Sequence, residues 1–187
     1  MLLIVGLGNP GSKYENTPHN AGYLFLDQLR EFLGWDTLYS VGDWEEDKMF
    51  ESQICKARVG GETKVMLVKP LTFMNASGRA VSKIVKKFEV RVSSGLVVVH
   101  DDLDIKLGQY KLQRAKSPKA HNGITSVELS LGTNDFLRLR IGVENRSENN
   151  RIPGEDYVLN KMSQEELDTL KEIGTDATKS LRTLVEF

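Results

Sequence analysis

Short apolar runs alternate along the chain with stretches in which apolar residues recur every three or four positions. The first run, Leu2–Val5, predicts a buried strand. A predicted helix over Asn20–Leu33 follows, with Leu26, Leu29 and Leu33 on one side. Because strands and helices that alternate in sequence pack as a sheet covered by helices, the pattern predicts an α/β domain. We expect a mixed, mostly parallel sheet flanked by helices on both faces.

The rest of the chain continues this alternation and contains one candidate hairpin. Two strand-like runs, Phe50–Val59 and Thr63–Lys69, flank the Gly60-Gly61 dipeptide. Since no repeat or long linker divides the 187 residues, we predict a single domain over residues 1–187. The other predicted elements are strands at Leu96–Val99, Gln109–Arg114 and Phe136–Val143, and helices at Ala76–Phe88, Asn122–Leu131 and from Ser163 onward.

Composition limits the class of protein. No stretch approaches the roughly 18 consecutive apolar residues of a membrane span, so we expect no membrane contact. Cys55 is the one cysteine, which excludes an internal disulfide and a cysteine-based zinc site. The first residues lack the basic start of a signal peptide. These features favour a cytoplasmic protein.

Charge is segregated along the chain, although the net charge is only −1. Residues 64–143 carry 14 Lys and Arg against 6 Asp and Glu, whereas residues 1–63 carry 5 against 10. A basic middle next to acidic ends predicts one positive surface that faces an anion. A chance distribution of solvated charges explains the same counts equally well.

A glycine-rich turn follows the first predicted strand. Gly6, Gly8 and Gly11 match the G-x-G-x-x-G pattern of dinucleotide-binding proteins. In those proteins the third glycine lies in the first turn of a helix, but here Pro10-Gly11 leads into a polar stretch. We therefore favour a turn that presents Asn9 at the C-terminal edge of the sheet. A dinucleotide-dependent oxidoreductase remains the alternative.

Polar groups suited to hydrolysis occur where predicted elements meet. His19 lies at the start of a predicted helix, where the positive end of the helix dipole favours a neutral imidazole, and Asp101 follows an apolar strand. Asn9, Asn75 and Asn122 lie at a turn and at two helix starts. A base, a carboxylate that orients it and several amides form a plausible hydrolytic set.

These segments resemble the signatures of the bacterial-type peptidyl-tRNA hydrolases, in the family's order and at its spacing. A match at Tyr157-Val158-Leu159 extends the resemblance towards the last predicted helix. The other matching segments are Val5–Gly11, Tyr14, His19–Gly22, Lys69–Asn75, His100–Asp104, His121–Gly123 and Phe136–Gly142.

The resemblance implies hydrolysis of the ester that joins a peptide to its tRNA, which recycles tRNA from aborted translation. It implies that His19 is the general base for a water and that Asp101 accepts the other N–H of its ring. Peptidyl-tRNA would be the partner of a monomeric enzyme that needs no cofactor and no metal. Core packing is an alternative role for Phe73 and Met74. The implied contacts with the peptide, the ester and the terminal adenosine are Asn9, Tyr14, Phe73, Met74, Asn75 and Asn122.

Basic residues of the middle segment are the candidates for tRNA phosphates. Such contacts are sensitive to salt and largely independent of base sequence. The candidates are Lys111, Arg114, Lys116, Lys119, Arg138 and Arg140.

Two positions depart from the family pattern. Pro18 stands where the family usually has an arginine before the histidine, so we expect an extended Thr17 and a stiffer entry to His19. The loop Ala115–Ala120 lacks the family's glycines. Two further alternatives stay open: a non-catalytic RNA-binding relative of the same fold, and a metal site that the spacing of His100, Asp101 and Asp104 allows.

Overall fold

The computed structural model describes residues 1–116, 118, 120–147 and 152–185. Within these ranges, no helix combines the length and apolar character that a membrane crossing requires. The strands are β1 (Leu2–Gly6), β2 (Ser40–Val41), β3 (Glu45–Asp47), β4 (Ser52–Val59), β5 (Glu62–Pro70), β6 (Leu96–Lys106), β7 (Tyr110–Arg114) and β8 (Leu137–Glu144). The α-helices are α1 (Ala21–Trp35), α2 (Ser77–Lys87), α3 (Val92–Gly95), α4 (Asn122–Leu131), α5 (Gly154–Tyr157) and α6 (Gln164–Val185).

The eight strands in the described part of the chain form one sheet. Its order is β2-β4-β5-β1-β6-β8-β7, and β3 also pairs with β4. The central strands β5, β1, β6 and β8 are parallel, whereas β4 and β7 pair antiparallel with their neighbours. The predicted α/β class with a mixed sheet is confirmed.

Helices cover both faces of the sheet. Phe25 of α1 and Leu181 of α6 belong to the core on one face. Ile84 of α2 and Val127 of α4 belong to the core on the other. Because both faces are covered, β1 is buried along its whole length, which explains its uninterrupted apolar run.

The start of α1 lies directly against the end of β1. A side chain on Gly22 would meet the Leu7 amide nitrogen at 2.5 Å and the Val99 carbonyl oxygen at 2.6 Å, so this approach requires glycine. The Leu7 N–H donates to the same Val99 oxygen at 2.9 Å. The residues just before α1, His19 among them, are therefore held at the C-terminal ends of β1 and β6.

The glycine-rich turn does not open a helix. Gly11 has a φ of +99°, and α1 begins only at Ala21. A 3₁₀ turn, Pro18–Asn20, leads into α1. The helix N-terminus that would hold a dinucleotide pyrophosphate is thus missing after Gly11, so the oxidoreductase alternative loses its structural basis.

β6 continues past the predicted end at Val99. Asp101 and Asp102 pair in register with Ile141 and Gly142 of β8, and the strand runs to Lys106. Both carboxylates are buried and hydrogen-bonded, so acidic residues do not end the strand here. The sequence did not predict this extension, nor the short elements β2, β3, α3 and α5.

The beginning of α6 agrees with the predicted capping box. The Ser163 N–H donates to Glu166 Oε2 at 2.8 Å, and the Glu166 N–H donates to Ser163 Oγ at 3.2 Å. These reciprocal bonds satisfy backbone donors that have no partner inside the helix. The predicted helix at Asn122–Leu131 also matches the bounds of α4.

Candidate active site

His19 and Asp101, the predicted base and carboxylate, lie side by side. His19 Nδ1 is 3.0 Å from both carboxylate oxygens of Asp101. The His19 side chain is 13% exposed and that of Asp101 is 3% exposed. Because an ionised carboxylate only accepts hydrogen bonds, Nδ1 carries the ring proton. Nε2 is then the unprotonated nitrogen of a ring that lines an open crevice.

The turn that carries His19 is held at both ends. Pro18 occupies its first position, where a fixed φ suits the turn, and Thr17 before it is extended with a φ of −97° and a ψ of 154°. The expected effect of Pro18 on Thr17 is therefore confirmed. The His19 main-chain N–H donates to the Val158 carbonyl oxygen at 2.9 Å, just beyond α5.

His121 supplies a second ring to the same carboxylate. Its Nε2 lies 2.9 Å from Asp101 Oδ1. Its Nδ1 accepts the main-chain N–H groups of Gly123 at 3.1 Å and Ile124 at 3.2 Å, at the start of α4. A ring nitrogen that accepts these bonds carries no proton, so the proton is on Nε2 and is donated to Asp101. The sequence did not indicate this role, because the motif reads locally as a helix start.

The charges of the cluster favour a basic His19. Burial alone would lower the pKa of His19, but the charge of Asp101 and its hydrogen bond outweigh burial and raise the pKa above its ordinary value of 6.5. Burial would raise the pKa of Asp101, yet His19 and His121 hold it well below its usual range. An ionised Asp101 therefore faces an imidazole whose pKa lies above its ordinary value, which makes the neutral ring a stronger base.

Asn9 is buried in a reciprocal contact with Asn20. The Asn9 N–H donates to Asn20 Oδ1 at 2.8 Å, and Asn20 Nδ2 donates to the Asn9 carbonyl oxygen at 3.0 Å. Asn9 Oδ1 accepts the Met74 N–H at 2.8 Å. Within the described ranges Asn9 Nδ2 has no acceptor, so the amide N–H₂ is the end available to a ligand. Asn20 was not among the predicted site residues, although it follows His19 directly.

The remaining predicted contacts separate into surface and core. Asn75 and Asn122 are exposed. The rings of Tyr14 and Phe73 meet edge to face at 6.3 Å, and Phe73 is 58% exposed, so these aromatic groups are available to a ligand. Met74 is instead buried in the core against Gly123, which corrects its predicted place in the ligand contacts.

A crevice of about 420 Å³ opens over His19 and Asp101. His19, Asp101 and His121 form part of its lining together with Asn122. Residues of the α5 region, including Leu159, line it as well. The crevice thus combines the imidazole of His19, the amide of Asn122 and apolar side chains with the acidic residues Asp104 and Glu155.

The predicted phosphate contacts also separate. Lys111, Arg114 and Lys116 are exposed on β7 and just beyond it. Arg114 also contacts the Ser93 carbonyl oxygen and lies 3.5 Å from Asp135. Lys119 lies outside the described residues.

Arg138 and Arg140 lie inside the fold. The Arg138 side chain has no exposed surface and its Nη2 lies 2.5 Å from Glu128 Oε1, which excludes the predicted phosphate contact in this conformation. Arg140 is 5% exposed, and its Nε lies 2.7 Å from Asp102 Oδ2. Both faces of the sheet are covered here, so the alternation of β8 does not bring its arginines to the surface.

His19, Asp101 and His121 are the one group of three potential metal ligands in the described part of the chain, with ligand atoms within 4.8 Å of one another. The spacing-based set of His100, Asp101 and Asp104 does not come together in this way. A metal on His121 Nε2 would require the ring proton to move to Nδ1, which already accepts two N–H groups. These hydrogen bonds therefore fix the ring proton of His121 on Nε2.

The chain matches a known family over nearly its whole length. The family model described as peptidyl-tRNA hydrolase matches residues 3–187. A peptidyl-tRNA hydrolase of Neisseria meningitidis serogroup C is 37% identical over 182 residues, which cover 97% of this chain and 88% of that protein. One from Desulfotalea psychrophila is 42% identical over 171 residues, covering 90% of this chain and 82% of the relative.

A solved structure has the same fold. The crystal structure of peptidyl-tRNA hydrolase from Acinetobacter baumannii superposes with a TM-score of 0.83 at 31% identity. The superposition covers 100% of this chain and 89% of that one. The similarity thus includes all the elements that position the cluster.

Proposed function

The chain belongs to the peptidyl-tRNA hydrolase family, and we propose that it hydrolyses the ester between the peptide and the 3′ end of tRNA in peptidyl-tRNA. The observation that carries the proposal is the bidentate contact of His19 Nδ1 with Asp101, at 3.0 Å to each oxygen. That contact leaves Nε2 as a base beside a crevice with room for an ester.

The reaction uses water as the nucleophile. His19 Nε2 removes a proton from the water as its oxygen attacks the ester carbonyl carbon. The C–O bond to the tRNA then breaks, and the proton on Nε2 passes to the departing 3′ oxygen. The products are free tRNA and the peptide carboxylic acid, which ionises to the carboxylate by releasing its proton to solvent. General-base assistance of this kind is typically worth about 10²–10⁴ in rate.

Asp101 and the amide groups have separate tasks. Asp101 holds the proton of His19 on Nδ1 and stabilises the imidazolium that forms during the attack. Asn9, Asn75 and Asn122 bind the peptide main chain and the ester, and the N–H₂ of one of them meets the developing oxyanion. Tyr14 and Phe73 contact the apolar parts of the substrate beside the terminal adenosine.

The tRNA body is bound through its phosphates. Lys111, Arg114 and Lys116 supply exposed positive charge on β7 and after it. Arg140 Nε donates to Asp102 Oδ2, so Arg140 contacts a phosphate only if this ion pair rearranges. Lys119 completes the proposed set.

We also propose that the enzyme is a cytoplasmic monomer without a metal, and sedimentation of the purified chain tests the monomer.

The deciding experiment is cleavage of N-acetyl-aminoacyl-tRNA. Wild type, His19→Ala and the control Lys171→Ala, an exposed substitution on α6, are compared. We expect His19→Ala to lose at least about a hundredfold in kcat while Lys171→Ala keeps its rate. Unblocked aminoacyl-tRNA serves as the substrate control. Binding of tRNA by a folded wild type that cleaves nothing would reject the enzyme and favour the non-catalytic RNA-binding relative.

A further inference from the structure

His100 precedes the catalytic carboxylate and is completely enclosed, with an exposed fraction of 0%. Its Nδ1 lies 2.7 Å from the Asp101 carbonyl oxygen and donates to it. Among the described residues nothing bonds to its Nε2, which is also buried. A buried acceptor without a donor costs free energy that an apolar side chain would avoid. The hydrolysis described above gives this ring no role.

Three imidazole rings lie in a row beside Asp101. The rings of His100 and His121 are 4.8 Å apart at 75°, an edge-on contact. The rings of His121 and His19 are 5.2 Å apart at 42°. His100 therefore packs against the His121 ring. His121 in turn donates to Asp101, and Asp101 binds His19.

His100 enters this row as an uncharged ring. Burial, and next the neighbouring His121, hold its pKa well below the ordinary value. The charged groups that act on it are Asp101 on the same strand and Arg140 on β8. A neutral ring with its proton on Nδ1 can donate to a carbonyl oxygen without bringing a competing charge to Asp101.

We propose that His100 is a positioning residue for this reaction, an inference that rests on the function proposed above. Its Nδ1–H holds the main-chain carbonyl of Asp101, and its ring holds the ring of His121. The first contact fixes the main chain of Asp101. The second fixes His121, which donates to the Asp101 carboxylate alongside His19. His19 Nδ1 then meets both carboxylate oxygens, and small displacements of such groups reduce rates strongly.

Three substitutions separate the hydrogen bond from packing. His100→Asn keeps an N–H donor near the position of Nδ1, whereas His100→Leu fills the space without a donor. Val98→Ala weakens the buried core two residues earlier on the same face of β6 and has no link to Asp101. For each folded variant, kcat, KM and the pH dependence of kcat/KM are measured with N-acetyl-aminoacyl-tRNA.

We expect His100→Leu to lower kcat by about ten- to a hundredfold with an unchanged KM, because the ring does not touch the substrate. The acid limb of its profile should move to lower pH, since a loosened Asp101 raises the pKa of His19 less. His100→Asn should restore most of both properties. Val98→Ala should reduce stability and leave the profile in place.

Two results overturn the proposal: a folded His100→Leu with the wild-type rate and acid limb, or His100→Asn and His100→Leu variants that are equally impaired. The imidazole titration of His19, followed by NMR, gives a readout that does not require turnover. If the wild type fails to hydrolyse the substrate, the proposed function fails. A wild-type His19 titration in His100→Leu would then reject the positioning role separately.

Discussion

The Nε2–H of His121 donates to Asp101 Oδ1 at 2.9 Å. The other ring nitrogen, Nδ1, accepts the main-chain N–H groups of Gly123 and Ile124 at the start of α4. One side chain thus has two tasks: it caps the start of α4, and it holds the carboxylate that binds His19. Because the two tasks use different atoms, a substitution can remove one and keep the other.

His121→Asn is expected to separate them. Asparagine is a good N-cap, so its oxygen can accept the N–H groups at the start of α4, but it is too short to reach Asp101 as well. We expect the lost donor to buried Asp101 to lower the free energy of unfolding by about 1–3 kcal/mol, with no further loss at the start of α4, while kcat falls by about tenfold or more. Urea unfolding and turnover measure the two effects. His121→Leu, which removes both contacts, is the control and should lose about 1 kcal/mol more than His121→Asn.

The pH dependence of kcat/KM should report His19. The base must be unprotonated, so activity falls as the pH drops through the pKa of His19, which Asp101 raises above 6.5. In Asp101→Asn the raising charge is gone and the effect of burial remains. Its acid limb should therefore move to lower pH, with a maximum rate lower by up to about 10²–10⁴. An unmoved limb in this variant would assign the ionisation to another group.

The same pair should make stability depend on pH. The folded-state pKa of His19 is raised, so its stabilising effect is fully present below the unfolded-state value of about 6.5 and is lost as the pH rises through the folded-state pKa. His19→Ala should therefore cost more free energy of unfolding at about pH 6 than at about pH 8. Urea midpoints of both proteins at the two pH values test this. An equal cost at both values contradicts the raised pKa.

Binding of tRNA should depend on salt through the exposed lysines. We expect Lys111→Gln combined with Lys116→Gln to raise KM with little change in kcat. The slope of log affinity against log salt should become shallower by about 0.9 for each phosphate that the variant no longer neutralises. The matched control is Lys171→Gln with Lys179→Gln, an exposed pair on α6. Identical slopes for the two double variants would remove Lys111 and Lys116 from the interface.

Local patterns sufficed for most of the fold. The period of the apolar residues located α1, α2 and α4, and the dipeptide Gly60-Gly61 located the β4–β5 hairpin. The extension of β6 was not predictable in this way, because Asp101 and Asp102 are acceptable strand residues only when His121 and Arg140 partner them. Those partners are distant in sequence.

In the candidate site, too, local patterns located some residues, whereas the contacts of others depend on how distant segments pack. Catalytic candidates at the ends of elements, His19 and Asp101, were found and lie together. Arg138 was misplaced because alternation along β8 shows which residues share a face but not whether α4 covers that face. His121 was overlooked because its local motif already explains a helix start, and its contact with Asp101 exists only after α4 packs beside β6.

The close approach of Gly22 to Leu7 and Val99 has a consequence for substrate binding. Together with the bond from the His19 N–H to Val158, this main-chain contact holds His19, the proposed base, in place before any substrate arrives. The free enzyme is therefore preorganised: the conformational entropy of ordering the His19 turn is lost during folding and not at each encounter. The free energy of binding the tRNA is then available to orient the ester.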